Sequence, residues 1–73
     1  MADTELTEKQ AQVMELVGQG FTTKEIARRL GIAPATVDQR VDGARRKLGT
    51  ATRLAAARAF AAKRQIYEQT IYE

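Results

Sequence analysis

Glycines at three places divide the chain into short segments, and these breaks limit the length of any regular element that the chain can form. Gly18 and Gly20 end one apolar-periodic segment, Gly31 ends the next, and Gly49 ends a third. Glycine readily takes the left-handed backbone conformation that closes a helix. No segment shows the alternation of a strand. We therefore predict an all-α fold of four helices, near residues 7–18, 23–30, 34–48 and 51–62.

Local signals also mark where these helices begin. Thr7 precedes Gln10 by three residues, and Thr22 precedes Glu25 by the same spacing. Both pairs fit a capping box, in which a hydroxyl and a carboxamide or carboxylate satisfy backbone N–H groups reciprocally. Thr23 is a competing cap for the second helix. Thr50 or Thr52 is expected to open the fourth helix.

Apolar residues recur at helical spacing and predict a small core. The fourth helix adds a small-residue stripe of Ala55, Ala59 and Ala62, whose inner side we expect to pack inside the domain. The side chains expected among the most buried are Val13, Leu16, Ile26, Leu30, Val37, Val41, Leu48 and Leu54.

The second and third helices are joined by a turn of three residues, Gly31 to Ala33, and this arrangement is a helix-turn-helix. Pro34 is well suited to the first helical position, whereas Ala33 is a poor N-cap. A helix fits the major groove of DNA, so the polar face of the third helix can reach base edges. A short three-helix bundle without DNA-binding activity has the same turn, so topology leaves both readings open.

Composition argues against an enzyme. The chain has 73 residues, no cysteine and no histidine. It therefore has no disulfides or thiolate metal sites and lacks the commonest general base and metal ligand. We expect one domain over residues 6–62, with an N-terminal tail (1–5) and a polar C-terminal stretch (63–73) that extends the fourth helix or forms a tail. We expect no catalytic activity, no cofactor and no metal site.

The net charge of +3 is unevenly distributed. Residues 24–64 carry eleven basic and three acidic side chains, a net charge of +8, whereas residues 1–23 carry −3 and residues 65–73 carry −2. A basic segment of this kind indicates a polyanionic partner, although it also serves simply to solvate helix faces. The acidic N-terminus does not resemble a signal peptide. The longest apolar stretch, 54–62, is interrupted by Arg58 and is far shorter than the roughly 20 residues that span a bilayer. We therefore expect a cytoplasmic, nucleoid-associated protein.

Several motifs resemble the LuxR-type (NarL/FixJ, GerE-like) DNA-binding domain. They are the run Leu6-Thr7-Glu8-Lys9-Gln10, the run from Lys24 to Ile32 followed by Pro34-Ala35-Thr36-Val37, and the closing Arg46-Lys47-Leu48-Gly49. The resemblance covers about residues 6–60. It implies a bacterial transcription regulator of four helices, in which the third helix enters the major groove and the fourth commonly supports dimer formation.

The resemblance also implies which residues meet DNA. Positions 38, 39 and 42, often basic in relatives, face the bases. Arg40 stands where the family usually has histidine, and Ala33 stands where it usually has serine. The N-terminal end of the second helix directs the positive end of its dipole at phosphates. The candidate DNA-binding residues are therefore Thr22, Thr23, Lys24, Thr36, Asp38, Gln39, Arg40, Asp42, Gly43, Arg46, Lys47 and Arg53.

Several of these residues also have a structural interpretation. Asp38 favours the N-terminal end of the third helix through the helix dipole, and Arg46 and Lys47 favour its C-terminal end. In the structural interpretation, Arg53 caps or braces the fourth helix in place of touching DNA. As an alternative function, carboxylates on the recognition face favour a protein-interaction module that contacts RNA polymerase or another regulator.

A weak homodimer is expected on DNA, with a monomer in dilute solution. The candidate dimerisation residues are Leu54, Ala55, Arg58 and Ala62, where small side chains allow close approach. Most family members also carry a signal-input domain, which these 73 residues do not resemble. The sequence therefore belongs either to a single-domain regulator or to part of a longer protein.

Overall fold

A computed structural model describes the backbone of residues 6–72 and the side chains of residues 6–63. This part of the chain forms four helices and no strand, which confirms the predicted all-α fold. The predicted N-terminal tail, 1–5, lies outside the described residues. The helices are α1 (Glu8–Gly18), α2 (Thr23–Leu30), α3 (Pro34–Leu48) and α4 (Arg53–Tyr72).

The predicted bounds of α2 and α3 are confirmed, and α1 begins one residue later than expected. The fourth helix begins at Arg53 and continues to Tyr72, ten residues beyond its predicted end. Its first turn is capped by Thr52, whose Oγ1 accepts a hydrogen bond from the Ala55 N–H at 3.1 Å.

Both predicted capping boxes form. Thr7 Oγ1 accepts from the Gln10 N–H, and the Thr7 N–H donates to Gln10 Oε1, each at 3.1 Å. At the start of α2, Thr22 Oγ1 accepts from the Glu25 N–H at 3.2 Å, and the Thr22 N–H donates to Glu25 Oε1 at 2.8 Å. Thr22 is therefore the cap of α2, and the hydroxyl of the competing Thr23 is left for another contact.

The turn between α2 and α3 depends on the left-handed conformation of Gly31, with φ 67° and ψ 38°. A side chain at this position would be strained, because L residues with a Cβ rarely adopt such a φ. The backbone N–H groups of Gly31 and Ile32 both donate to the carbonyl of Ala27, which satisfies the end of α2. The chain then becomes extended at Ala33 and enters α3 at Pro34.

The core lies where all four helices meet. Of the residues expected to be buried, Val13, Ile26, Val37 and Val41 are confirmed. Leu16, Leu30 and Leu48 are only partly buried and pack against the edge of the core. Among residues 6–63, the buried side chains are Val13, Met14, Val17, Ile26, Ala27, Val37, Val41, Ala44, Ala56 and Ala57.

The prediction for the inner face of α4 was wrong. Leu54 is 53% exposed, Ala62 is exposed, and Ala55 and Ala59 are partly buried, while Ala56 and Ala57 enter the core. Ala57 Cβ lies 3.9 Å from the position that a Cβ on Gly18 would occupy, so α4 packs closely against the end of α1. The helix is rotated so that Ala56 and Ala57, and not Leu54, enter the core.

The N-terminus of α3 has no side-chain cap, and this leads to a prediction about the stability of the domain. Ala33 has the extended backbone of an N-cap, φ −71° and ψ 147°, but no side-chain hydrogen bond. Ala33→Ser should supply an acceptor for the N–H groups of the first turn and stabilise the domain by ~1 kcal/mol, which raises Tm by roughly 4–8 °C. Thermal unfolding followed by circular dichroism measures the change.

The matched control is Ala35→Ser, which introduces the same hydroxyl at an exposed position inside the first turn of α3. We expect no gain from it, because serine inside a helix is slightly less favourable than alanine. An equal rise in Tm for both variants would contradict the capping explanation.

Candidate nucleic-acid interface

The third helix has one buried face and one polar face. Val37, Val41 and Ala44 are buried against the other helices. Asp38, Gln39 and Arg46 are exposed, and the Arg46 side chain retains 77% of its accessible surface. The remaining predicted residues of this helix are partly buried at the borders of the polar face: Thr36, Arg40, Asp42, Gly43 and Lys47.

The N-terminal end of α2 lies beside the first half of α3. Thr23 Oγ1 donates a hydrogen bond to Asp38 Oδ1 at 3.2 Å. Lys24, the next residue of α2, is exposed. The structure therefore brings the predicted residues of the α2 N-terminus to the same side of the domain as Asp38.

The predicted residue Arg53 joins this contact from α4. Its Nη1 donates to Thr23 Oγ1 at 2.7 Å. A guanidinium group only donates hydrogen bonds, so the Thr23 hydroxyl accepts from Arg53 and directs its own hydrogen to Asp38. The three side chains, which we call the Arg53–Thr23–Asp38 chain, connect α4, α2 and α3. The hydrogen bond from Arg53 to Thr23 fits the structural interpretation of Arg53 as a residue that braces α4.

Asp38 is the fifth residue of α3, and the first turn of that helix contains no acidic residue. The helix dipole acts mainly on charges in the first turn. The interpretation of Asp38 as a dipole-stabilising residue therefore has less support than its contact with Thr23.

Asp42 is paired within α3. Its carboxylate forms salt bridges with Arg45, one turn onward, and with Arg46. Arg45 Nη1 also lies 3.3 Å from the carbonyl oxygen of Ala51 and 3.5 Å from that of Thr50, so its guanidinium group holds the α3–α4 connection. Of these two arginines, Arg46 projects into solvent, whereas Arg45 is held by contacts within the domain.

Basic residues continue along the last turns of the two helices. Arg28 and Arg29 end α2, and Arg45, Arg46 and Lys47 end α3. The Arg29 guanidinium carbon lies 4.0 Å from the centre of the Phe21 ring, in the arrangement of a cation–π contact. At these positions the basic side chains interact favourably with the negative ends of the helix dipoles.

The family model for bacterial regulatory proteins of the luxR family matches residues 4–60. The chain belongs to this family. It is an all-α, LuxR-type helix-turn-helix domain, and the family binds DNA and regulates transcription. A search of curated proteins gave no match.

Two properties of the described part of this luxR-family domain concern other kinds of site. None of its helices has both the length and the apolar character needed to cross a bilayer. No cluster of three or more acidic, histidine or cysteine side chains within it is arranged to hold a metal ion.

Gly43, a predicted DNA-binding residue, lies against α1. A Cβ built on Gly43 would be 2.7 Å from Gln10 Nε2, so the end of the flexible Gln10 side chain would have to shift. The missing side chain therefore accommodates Gln10, whose amide also completes the capping box of α1. Glycine is less favourable than alanine inside a helix. Its presence at position 43 was therefore the sequence signal for a close packing contact.

The outer side of α4 carries the four predicted dimerisation residues of the luxR-family domain. Arg58 and Ala62 are exposed, Leu54 is half-exposed, and Ala55 is partly buried. At 3.6 residues per turn, these positions share the side of α4 that is turned away from the buried pair Ala56 and Ala57. We call this surface the outer α4 face.

The unequal environments of Arg45 and Arg46 predict different effects on stability. Arg45→Ala removes a salt bridge and two hydrogen bonds to carbonyl oxygens, so it should lower the free energy of unfolding by ~1.5 kcal/mol. Arg46→Ala removes one exposed ion pair, which contributes about 0–1 kcal/mol. Urea unfolding of the two variants tests this, and equal losses would contradict the structural role of Arg45.

Proposed function

We propose that the domain binds double-stranded DNA sequence-specifically as a bacterial transcription regulator and reads the major groove with α3. The observation that best supports this is the division of α3 into a buried apolar face and an exposed face that carries Gln39 and Arg46. A helix is about 10–12 Å across and the major groove is about 12 Å wide.

The exposed side chains divide by chemistry into two groups. Gln39 can form two hydrogen bonds with adenine, and Asp38 offers only acceptors. Cationic side chains bind phosphates, which position the helix without reading sequence. We assign this second role to Lys24, Arg40, Arg46 and Lys47, and to the positive end of the α2 helix dipole at Thr22 and Thr23.

Three predicted residues have a smaller part in the proposed interface. Gly43 faces Gln10, so we leave it out. Arg53 acts through its hydrogen bond to Thr23. Asp42 partly neutralises Arg46, so Arg46 must exchange this salt bridge for a phosphate contact when DNA binds. Thr36, at the border of the polar face, remains a candidate for a phosphate contact.

Phosphate contacts make binding depend on salt. The logarithm of the association constant should fall linearly with the logarithm of salt concentration, by about 0.9 for each phosphate contacted. Arg40→Ala and Arg46→Ala should each weaken binding to specific and random duplexes alike and reduce this slope by roughly one unit. Fluorescence anisotropy with a labelled duplex measures both quantities.

Lys9→Ala is the control, because it removes the same charge from an exposed position in the first turn of α1. Its slope should match that of the parent protein. If Arg40→Ala and Arg46→Ala also leave affinity and slope unchanged, α3 is not the surface that binds DNA.

A second candidate function is contact with RNA polymerase or another regulator. It is favoured by the two carboxylates, Asp38 and Asp42, on the polar side of α3, because carboxylates repel the DNA backbone. The same titration separates the two functions. A chain that binds no duplex at low salt but is retained by immobilised RNA polymerase would support this alternative.

We further propose that two copies associate weakly through the outer α4 face when they bind DNA. One small module buries roughly 600–1,000 Å² on DNA, so useful specificity usually requires two half-sites about one helical turn apart. Leu54 supplies an exposed apolar side chain, and Ala55 and Ala62 allow two helices to approach closely.

Ala62→Glu tests this dimer. It places a charge on the outer α4 face and should abolish cooperative binding to a paired site while affinity for a single half-site is retained. Lys63→Glu places a negative charge at the next exposed position, about 100° further around the helix and outside that face, and we expect it to keep cooperativity. Loss of cooperativity in both variants, or in neither, would contradict the assignment.

A further inference from the structure

The hydrogen-bonded position of Asp38 carries an inference about which base this domain selects. Because Thr22 caps α2, the Thr23 hydroxyl is available to bridge Arg53 and Asp38. This contact uses Oδ1 of Asp38, while the side chain itself remains exposed on the polar face of α3. This hydrogen bond therefore orients the Asp38 carboxylate on an exposed surface.

The direction of the hydrogen bonds determines the chemistry that Asp38 can offer. Arg53 can only donate, so the Thr23 hydroxyl gives its single hydrogen to Oδ1. An ionised carboxylate only accepts hydrogen bonds, and charge-assisted bonds of this kind are stronger than neutral ones. Oδ2, which this bridge does not use, remains an acceptor that can point toward a base edge.

The major groove contains few groups that can donate to such an acceptor. Guanine offers N7 and O6, and thymine offers O4, all of them acceptors that repel a carboxylate. Adenine offers the N6 amino group but places the N7 acceptor beside it. Cytosine offers its N4 amino group without an acceptor on the same base edge. Cytosine is therefore the base that suits an oriented carboxylate best.

We propose that Asp38 selects cytosine at one position of the recognised half-site and that Thr23, held by Arg53, is the positioning residue for this contact. The inference rests on the proposed function, in which α3 lies in the major groove. Asp38 repels the phosphate backbone, so its contribution is to discrimination between sequences and not to general affinity.

Selection of bound duplexes from a randomised pool, followed by affinity measurements, tests the role of Asp38. The parent protein should prefer cytosine over guanine or thymine at one position by about five- to tenfold, the lower range for one good base contact. Asp38→Ala should lose this preference, and Asp38→Asn should shift it to adenine, which asparagine recognises through N6 and N7.

A matched control separates base reading from charge. Glu8→Gln removes one negative charge from an exposed position in the first turn of α1, as Asp38→Asn does from α3. Both variants should bind random duplexes at least as tightly as the parent, but Glu8→Gln should keep the cytosine preference. A preference that persists in Asp38→Ala would overturn the inference.

Thr23 is tested by the ratio of affinities for two duplexes that differ only at the selected position. Thr23→Val removes the hydroxyl with little change in shape and should lower this ratio toward the value for Asp38→Ala. Thr23→Ser keeps the hydroxyl and should restore it. A merely structural role for Thr23 would weaken binding to both duplexes equally, and this outcome would overturn the positioning role.

The inference and the proposed function fail in different ways. Salt-dependent binding to DNA without a cytosine preference would overturn the role of Asp38 and leave DNA binding intact. Absence of binding to any duplex at low salt, with a normal circular dichroism spectrum, would overturn the proposed function and the inference with it.

Discussion

The four largest completely buried side chains of residues 6–63 hold the first three helices together. Val13 and Met14 come from α1, Ile26 from α2 and Val37 from α3. Burying a side chain of this size contributes about 1.5–3 kcal/mol, which is a large fraction of the roughly 5–15 kcal/mol by which a small domain is stable. Because the contact fixes α2 across α3, it also determines which residues of α3 remain outside.

The polar side of α3 carries acidic as well as basic side chains, and contacts within the domain engage several of them. Asp42 pairs with Arg45 and Arg46, and Asp38 is bound to Thr23. These contacts satisfy the side chains in the absence of DNA but reduce the positive charge that the helix presents. Under the proposed function, such a face would bind random DNA less tightly than a wholly basic one and would depend more on the fit to a particular sequence.

The sequence was sufficient to predict the elements whose limits are set locally. The ends of α2 and α3 follow from Thr22 with Glu25, from Gly31, and from Pro34, which act within a few residues of one another. The rotation of α4 was not predictable, because its alanines leave no distinct apolar stripe and the choice of Ala57 depends on Gly18 of another helix. The Arg53–Thr23–Asp38 chain was not predictable either, because Arg53 and Thr23 are thirty residues apart.

The close approach of Gln10 to Gly43 has a consequence for redesign of α3, the helix proposed to read DNA. Residue 43 falls within the stretch of α3 that would ordinarily be randomised to obtain new sequence preferences, yet its missing side chain makes room for a residue of α1. Gln10 in turn secures the first turn of its own helix. Positions 10 and 43 therefore form a single unit for mutagenesis, and a combinatorial library should keep both or vary them together.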